Sequence, residues 1–239
     1  MKRSMAHLMG FVVGLGIMLG GMGVGQATTT TFTSEAAFLA AIAGLPQETQ
    51  DFESILDLVI FDGDTVDGIT FEYTTTFGED LMVSDQFDTT SGENALGTNF
   101  GIGTDETILG GDGFKMTFDQ GIVALGLFGI FSDVLIADDF TLTIIPGGGS
   151  VSNTTAVPTA LGDGGLPYYL GIIDTDGFTM AEVTTSGQFF AYTVDDITTA
   201  TPEPGTLMLL SSGLLGLGLW SRRRLGRKQA AAKATSCQP

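Results

Sequence analysis

The sequence predicts a mainly β fold, an antiparallel β-sandwich with one short N-terminal helix, flanked by an N-terminal signal segment and a C-terminal transmembrane helix. Three observations predict it. Between Thr28 and Thr201, short segments alternate apolar and polar residues, the period of a half-buried strand. Stretches rich in Gly, Asp and Thr separate those segments at short intervals, which suits two packed sheets. The chain is also 43% hydrophobic, with 17 phenylalanines among 239 residues, enough to fill a core despite its formal charge of −19.

The chain opens with a basic pair, Lys2 and Arg3, followed by an apolar run from Leu8 to Val24 and the small-x-small triplet Gly25-Gln26-Ala27. That order is a secretory signal with cleavage after Ala27, so residues 1–27 form a signal peptide. The predicted helix follows: Thr33 or Ser34 caps EAAFLAAIAG, Phe38 and Ile42 share a face, and Gly44 followed by Pro46 ends it. The strand segments carry Ile69, Phe71 and Tyr73; then Phe114, Met116 and Phe118; then Phe140, Leu142 and Ile144; and last Phe190, Tyr192 and Val194. Ile122–Phe131 and Tyr168–Ile173 are more continuously apolar and are expected to be central strands. The expected connections are Phe61–Gly68, Thr90–Glu106, Pro146–Ser150 and Leu161–Pro167.

Charge excludes several functions. Of the nine basic residues only Lys115 falls between Arg3 and Arg222, whereas all 28 acidic residues fall between Glu35 and Glu203. With 28 carboxylates against one ammonium, the exported part carries about −27. Such a field repels nucleic acid and phosphate and attracts cations, so no nucleic-acid partner is expected. The only histidine, His7, lies in the signal segment, and the only cysteine, Cys237, lies near the chain end. The domain therefore has no Ser-His or Cys-His pair, no zinc-ligand set and no disulfide. No G-x-S-x-G elbow, dinucleotide fingerprint or phosphate loop occurs. Paired carboxylates for glycoside hydrolysis are the one catalytic chemistry that composition leaves open; the expectation is that the protein is not an enzyme.

The last forty residues organise the rest. Pro202-Glu203-Pro204 is followed by an uncharged run from Gly205 to Trp220, then by Arg222-Arg223-Arg224 with Arg227 and Lys228 behind. The run is short for a span, which takes about 17–25 residues. The basic cluster after it marks a cytoplasmic flank, and Trp220 sits at an interfacial position. This tripartite order resembles the PEP-CTERM sorting signal of Gram-negative bacteria. The resemblance implies export, an exosortase-type membrane protease as partner, recognition through Glu203, processing near Pro202-Glu203-Pro204, an inner-membrane intermediate, and delivery to the cell surface or extracellular matrix, where exopolysaccharide is a partner class. The expected organisation is a signal peptide at 1–27, an acidic ectodomain at 28–200, a sorting signal at 201–228 with its helix at 205–220, and a cytoplasmic tail at 229–239.

The ectodomain opens with Asp51-Phe52-Glu53 and closes with Tyr192-Thr193-Val194-Asp195-Asp196-Ile197. Such DFE and DDI edges look like the jelly-roll modules of carbohydrate-binding and adhesion proteins, MAM-type domains included, in which first and last strands often lie side by side. If they pair here, Asp51 or Glu53 approaches Asp195 or Asp196, and calcium would offset the repulsion among them by coordination. Because neighbouring strand residues point to opposite faces, only one of Asp195 and Asp196 is expected to be a ligand. Asp62, Asp64 and Asp67, Asp138-Asp139, and Asp174 with Asp176 are weaker acidic clusters in turn-like sequence. The functional expectation is an exported, non-enzymatic structural or adhesive protein. The alternatives are a carbohydrate-binding module and a carboxylate-dependent glycan-active enzyme.

Overall fold

The structure, a computed structural model, describes residues 28–55, 63–74, 80–99, 106–186 and 191–202. Its elements in chain order are β1 (Thr29–Phe32), α1 (Glu35–Ile42), β2 (Gln47–Gln50), β3 (Thr65–Val66), β4 (Ile69–Thr74), β5 (Asp80–Ser84), β6 (Ala95–Asn99), β7 (Ile108–Leu109), β8 (Gly113–Phe131), β9 (Phe140–Ile145), β10 (Ser150–Ser152), β11 (Leu166–Thr185) and β12 (Ala191–Ala200). Every described pairing between strands is antiparallel, so the predicted mainly β class is what forms.

Two long strands hold the architecture together. β8 and β11 pair with each other over nearly their whole lengths, with the register broken between Ile173 and Met180. Before that break in β8, and after it in β11, they pair with β4 and β9. On the other side of it they pair with β12 and β1. The continuous sheet thus folds into two layers, and one core fills the space between them. Phe131 of β8 meets Phe140 of β9 edge to face at 5.0 Å and stacks on Tyr192 of β12 at 5.0 Å; Phe52 meets Phe71 at 6.3 Å. Each fully buried aromatic of this kind contributes about 1.5–3 kcal/mol before entropy is counted.

The alternating segments behave as their pattern requires. In β9, Phe140, Leu142 and Ile144 are buried while Thr141, Thr143 and Ile145 are partly exposed, and Ile69 and Phe71 of β4 point into the core. Lys115 lies between Glu72 and Glu182 in the register and donates to Glu72 at 3.0 Å on the exposed face. β12 is buried at almost every position, because both of its faces are covered. One covering piece is α1: Phe38 and Ile42 pack with Ala124, Tyr169 and Ala200 in a second, outer cluster. Glycines make this close approach feasible. A Cβ at Gly126 would collide with Tyr169 Oη and press on Phe38 Cε1 at 2.9 Å. Ser34 takes an extended N-cap conformation without a side-chain hydrogen bond, so the helix is held by burial more than by capping.

Four expectations need correction. The segments expected as two strands at Phe114–Phe118 and Ile122–Phe131 form one strand, and Tyr168–Ile173 lies in the first half of a twenty-residue one. The connection expected over Thr90–Glu106 contains β6, all but its last residue buried. β1, β2, β3, β5, β7 and β10 form where no strand was expected, β3 within the expected connection Phe61–Gly68. Asp174 to Gly177, expected as a turn cluster, lie inside β11 at its bend. Phe190, Asp62, the signal segment with Ala27, and the C-terminal run from Glu203 onward lie outside the described residues. Among the described residues no helix is long and apolar enough to cross a membrane.

Candidate functional site

The opening segment Asp51-Phe52-Glu53 is a turn and does not itself pair with Val194-Asp195-Asp196, which corrects the expected strand pairing; the strand just before it brings it beside β12. β2 pairs with the end of β12, Gln50 opposite Ile197 and Gln47 opposite Ala200. Asp51 begins the turn just beyond β2. Its Oδ1 accepts from Glu53 N at 3.1 Å, and the Gln50 side chain accepts from Phe52 N and donates to Asp67 Oδ2. Phe52 is thereby held in the left-handed region at φ 60°, with its ring in the core.

Across the seam β12 carries a bulge between Asp195 and Thr198, where Asp196 has φ 50°. This left-handed residue undoes the alternation expected along a strand. Both carboxylates swing to one place: Thr90 Oγ1 lies 2.8 Å from Asp195 Oδ2 and 2.9 Å from Asp196 Oδ2. The expectation that only one of the pair faces the site is therefore corrected.

The group these carboxylates gather around is a loop of the chain itself, Thr89–Asn94. Asp195 has no exposed surface; its Oδ2 accepts from Thr90 N at 2.9 Å and Ser91 N at 3.0 Å, and its Oδ1 accepts from Asp196 N at 2.7 Å. At the other side of the loop Glu53 Oε1 accepts from Glu93 N and Asn94 N, both at 2.7 Å. Asn94 Nδ2 donates back to Ile55 O at 3.2 Å. Gly92, at φ 55°, passes so close to Glu53 that a Cβ there would collide with its carboxylate. Glu53 and Asp195 thus act as two clamps on pairs of successive amides, the Asp195 pair part-buried and in need of acceptors, the Glu53 pair exposed. The sequence held one signal of this, the Thr-Ser-Gly-Glu-Asn turn composition, but no indication of its partners 40 and 105 positions away.

The electrostatics follow from the burial. Desolvation, then the nearby Asp196 charge, push Asp195 up to about 6, against the lowering effect of the bonds from Thr90, Ser91 and Asp196 N. Burial and Asp196 also raise Glu35, at the start of α1. Tyr169 Oη is buried and has no hydrogen-bond partner; burial, Glu35 and Asp196 all hold it in its neutral form.

Of the residues expected to bind metal, Asp195 and Asp196 meet at Thr90, Asp51 caps Glu53, and Glu53 reaches the same loop from its other side. Among the described residues no group of three or more His, Cys, Asp or Glu is placed to hold a metal ion. The other acidic clusters serve turns. Asp139 accepts from Ile136 N and Ser186 Oγ, and Asp174 from Thr29 Oγ1 and Asp176 N. Of the sorting residues only Pro202 is described, and it is exposed; Glu203, Pro204 and Arg222, Arg223 and Arg224 lie outside.

The chain is therefore an acidic antiparallel β domain whose last strand, ending at Ala200, leads within two residues into a C-terminal targeting segment. Residues 200–224 match the family model of the PEP-CTERM protein-sorting motif, and the chain is a PEP-CTERM domain-containing protein. It is exported and sorted through its C terminus, and the motif implies processing by exosortase, a membrane protease. This bears out the resemblance read from the Pro-Glu-Pro, apolar and arginine order. No curated protein matches the chain. Among solved structures it is similar to a cleaved adhesin domain of Lys-gingipain, at 12% identity and a TM-score of 0.42, covering 65% of this chain and 98% of that one. It is also similar to the enzymatically active domain of tailspike protein 4 of Bacteriophage CBA120, at 11% identity and a TM-score of 0.27, covering 60% of this chain and 20% of that one. Likenesses at these scores carry no argument about role.

Proposed function

We propose that the β domain is the cargo of its sorting signal and does non-enzymatic structural or adhesive work at the cell surface or in the extracellular matrix, after an inner-membrane intermediate held by the helix 205–220. The observation that carries this reading is the junction: the motif starts at residue 200, where β12 ends, so the folded domain is what the signal delivers. Its chemistry supports the reading. Of the described carboxylates that cluster at the seam, Asp51, Glu53 and Asp195 accept from backbone amides and Asp196 accepts from the Thr90 hydroxyl, whereas hydrolysis of a glycosidic bond needs an acid and a base free to face a substrate. A domain with this charge stays soluble and avoids anionic surfaces.

The test has two arms. Glu203→Ala is expected to leave the protein in the membrane fraction, whereas the natural chain moves to the surface or matrix fraction. A glycoside-hydrolase substrate panel is expected to give no turnover. Turnover abolished by one Asp or Glu substitution would replace this reading with a glycan-active enzyme.

A further inference from the structure

The two ends of the sandwich differ in what they carry. Thr30, Ile173, Ala124, Ala200 and Gln47 form one row across β1, β11, β8, β12 and β2. Thr28 and Thr201, where the domain joins the segments before and after it, both flank this row. Both chain exits are therefore at one end, three strand spacings or about 14 Å apart. Leu166, Phe131, Tyr192 and Ile108 form another row seven residues further along β8, about 23 Å away. Only Pro202-Glu203-Pro204 separates Thr201 from the apolar run that starts at Gly205, a reach of at most about 14 Å. While the chain is anchored, the exit end is held against the membrane and the far end is presented outward.

At that far end lies a cleft of about 490 Å³, within the range of small-molecule sites. Two loops form its lips and latch each other: Asp163 Oδ2 accepts from Asp88 N at 3.1 Å, and Asp88 Oδ2 accepts from Asp163 N at 2.8 Å. Asp163 Oδ1 also accepts from Gly165 N at 2.8 Å. The latch ties down Asp88 beside Phe87, which is 37% exposed and lines the cleft together with Asp163. Leu109 adds apolar surface, and Ser132 and Thr193 add hydroxyls.

We propose that this outward-facing cleft binds an uncharged saccharide unit of an extracellular polymer. A sugar ring has an apolar face for Phe87 and Leu109 and hydroxyl donors for Asp163, whose oxygens each keep a lone pair beyond their amide bonds. No described residue lining the cleft is basic, and about −27 of surrounding charge repels acidic polymers. One carboxylate among the described lining residues, already tied to backbone amides, suits holding a sugar more than cleaving it. The latch keeps both lips in place before binding, which lowers the ordering cost.

This inference rests on the adhesive reading, and its test separates the two. The full-length protein is titrated with neutral gluco-, galacto- and manno-oligosaccharides and with polygalacturonate as the anionic arm. The natural chain is expected to bind at least one neutral series, Phe87→Ala to weaken it by about tenfold with unchanged melting, and polygalacturonate to be excluded. No neutral binding at millimolar concentration, equal binding by Phe87→Ala, or preference for polygalacturonate would overturn the cleft assignment. Matrix retention of the exported protein is scored in parallel. Retention undiminished in Phe87→Ala also overturns the cleft while leaving the adhesive reading intact; a protein never found at surface or matrix overturns both.

Discussion

Asp195 makes the seam a pH-dependent element, and its sign can be worked out. Its carboxyl, ordinarily near 3.8, is lifted to about 6 in the folded domain, so between those values the native state holds a proton that the unfolded chain has released. Stability then falls as pH rises through the window, the reverse of a salt-bridged aspartate. At about 1.4 kcal/mol per pH unit the interval corresponds to about 3 kcal/mol. The other carboxylates of the exported part titrate too, so the informative quantity is a difference. Asp195→Asn keeps the size and one acceptor for Thr90 N and Ser91 N. It places an amide against Asp196 N, a lost hydrogen bond costing about 1–3 kcal/mol at every pH. Urea denaturation of both proteins at pH 4, 5, 6 and 7 is expected to show the natural domain losing about 2 kcal/mol relative to the variant across the range, the remainder of the interval lying below pH 4. Asp196→Asn, by removing the second cause of the shift, should narrow the window. Parallel stability profiles for the natural domain and Asp195→Asn would refute the reasoning.

Three further outcomes follow from single contacts. Tyr169→Phe removes a buried hydroxyl without a partner and is expected to raise stability by up to about 1 kcal/mol, read as a higher melting temperature; a lower one would mean the hydroxyl is satisfied. Gly92→Ala forces a side chain into the Glu53 carboxylate at a positive φ and should cost about 1–3 kcal/mol, with faster proteolysis confined to the Thr89–Asn94 loop. Calcium is tested by melting in CaCl₂ against NaCl at matched ionic strength. With no group of three or more carboxylates among the described residues placed to hold an ion, the two curves should coincide, and an excess in CaCl₂ lost in Asp196→Asn would assign an ion to Asp196.

Much of the fold was legible where local pattern and tertiary burial agree. Phe140, Leu142 and Ile144 alternate because one face of β9 meets the core, and Phe38 and Ile42 recur because one face of α1 meets the sheet. β6 was illegible for the opposite reason. Ala95-Leu96-Gly97-Thr98-Asn99 reads as a loop, and its burial comes from other strands: it pairs with β5, and Leu96 lies opposite Val194 of β12. The proximity of the DFE segment to β12 was legible only in part, because β2, just before it, makes the pairing and β1 and α1 precede both. The bulge was not. Nothing in Val194-Asp195-Asp196-Ile197 marks Asp196 as left-handed, and that one torsion decides where both carboxylates point. The cleft was also hidden, since Phe87 and Asp163 become neighbours only through the latch between their loops.

The central claim, that the folded domain is cargo delivered by its C-terminal signal, is tested most directly by intact-mass measurement of the mature protein from the surface or matrix fraction. The expected species begins at Thr28 and ends near Pro202-Glu203-Pro204. A steady-state species that still contains Gly205–Arg224 would contradict the claim.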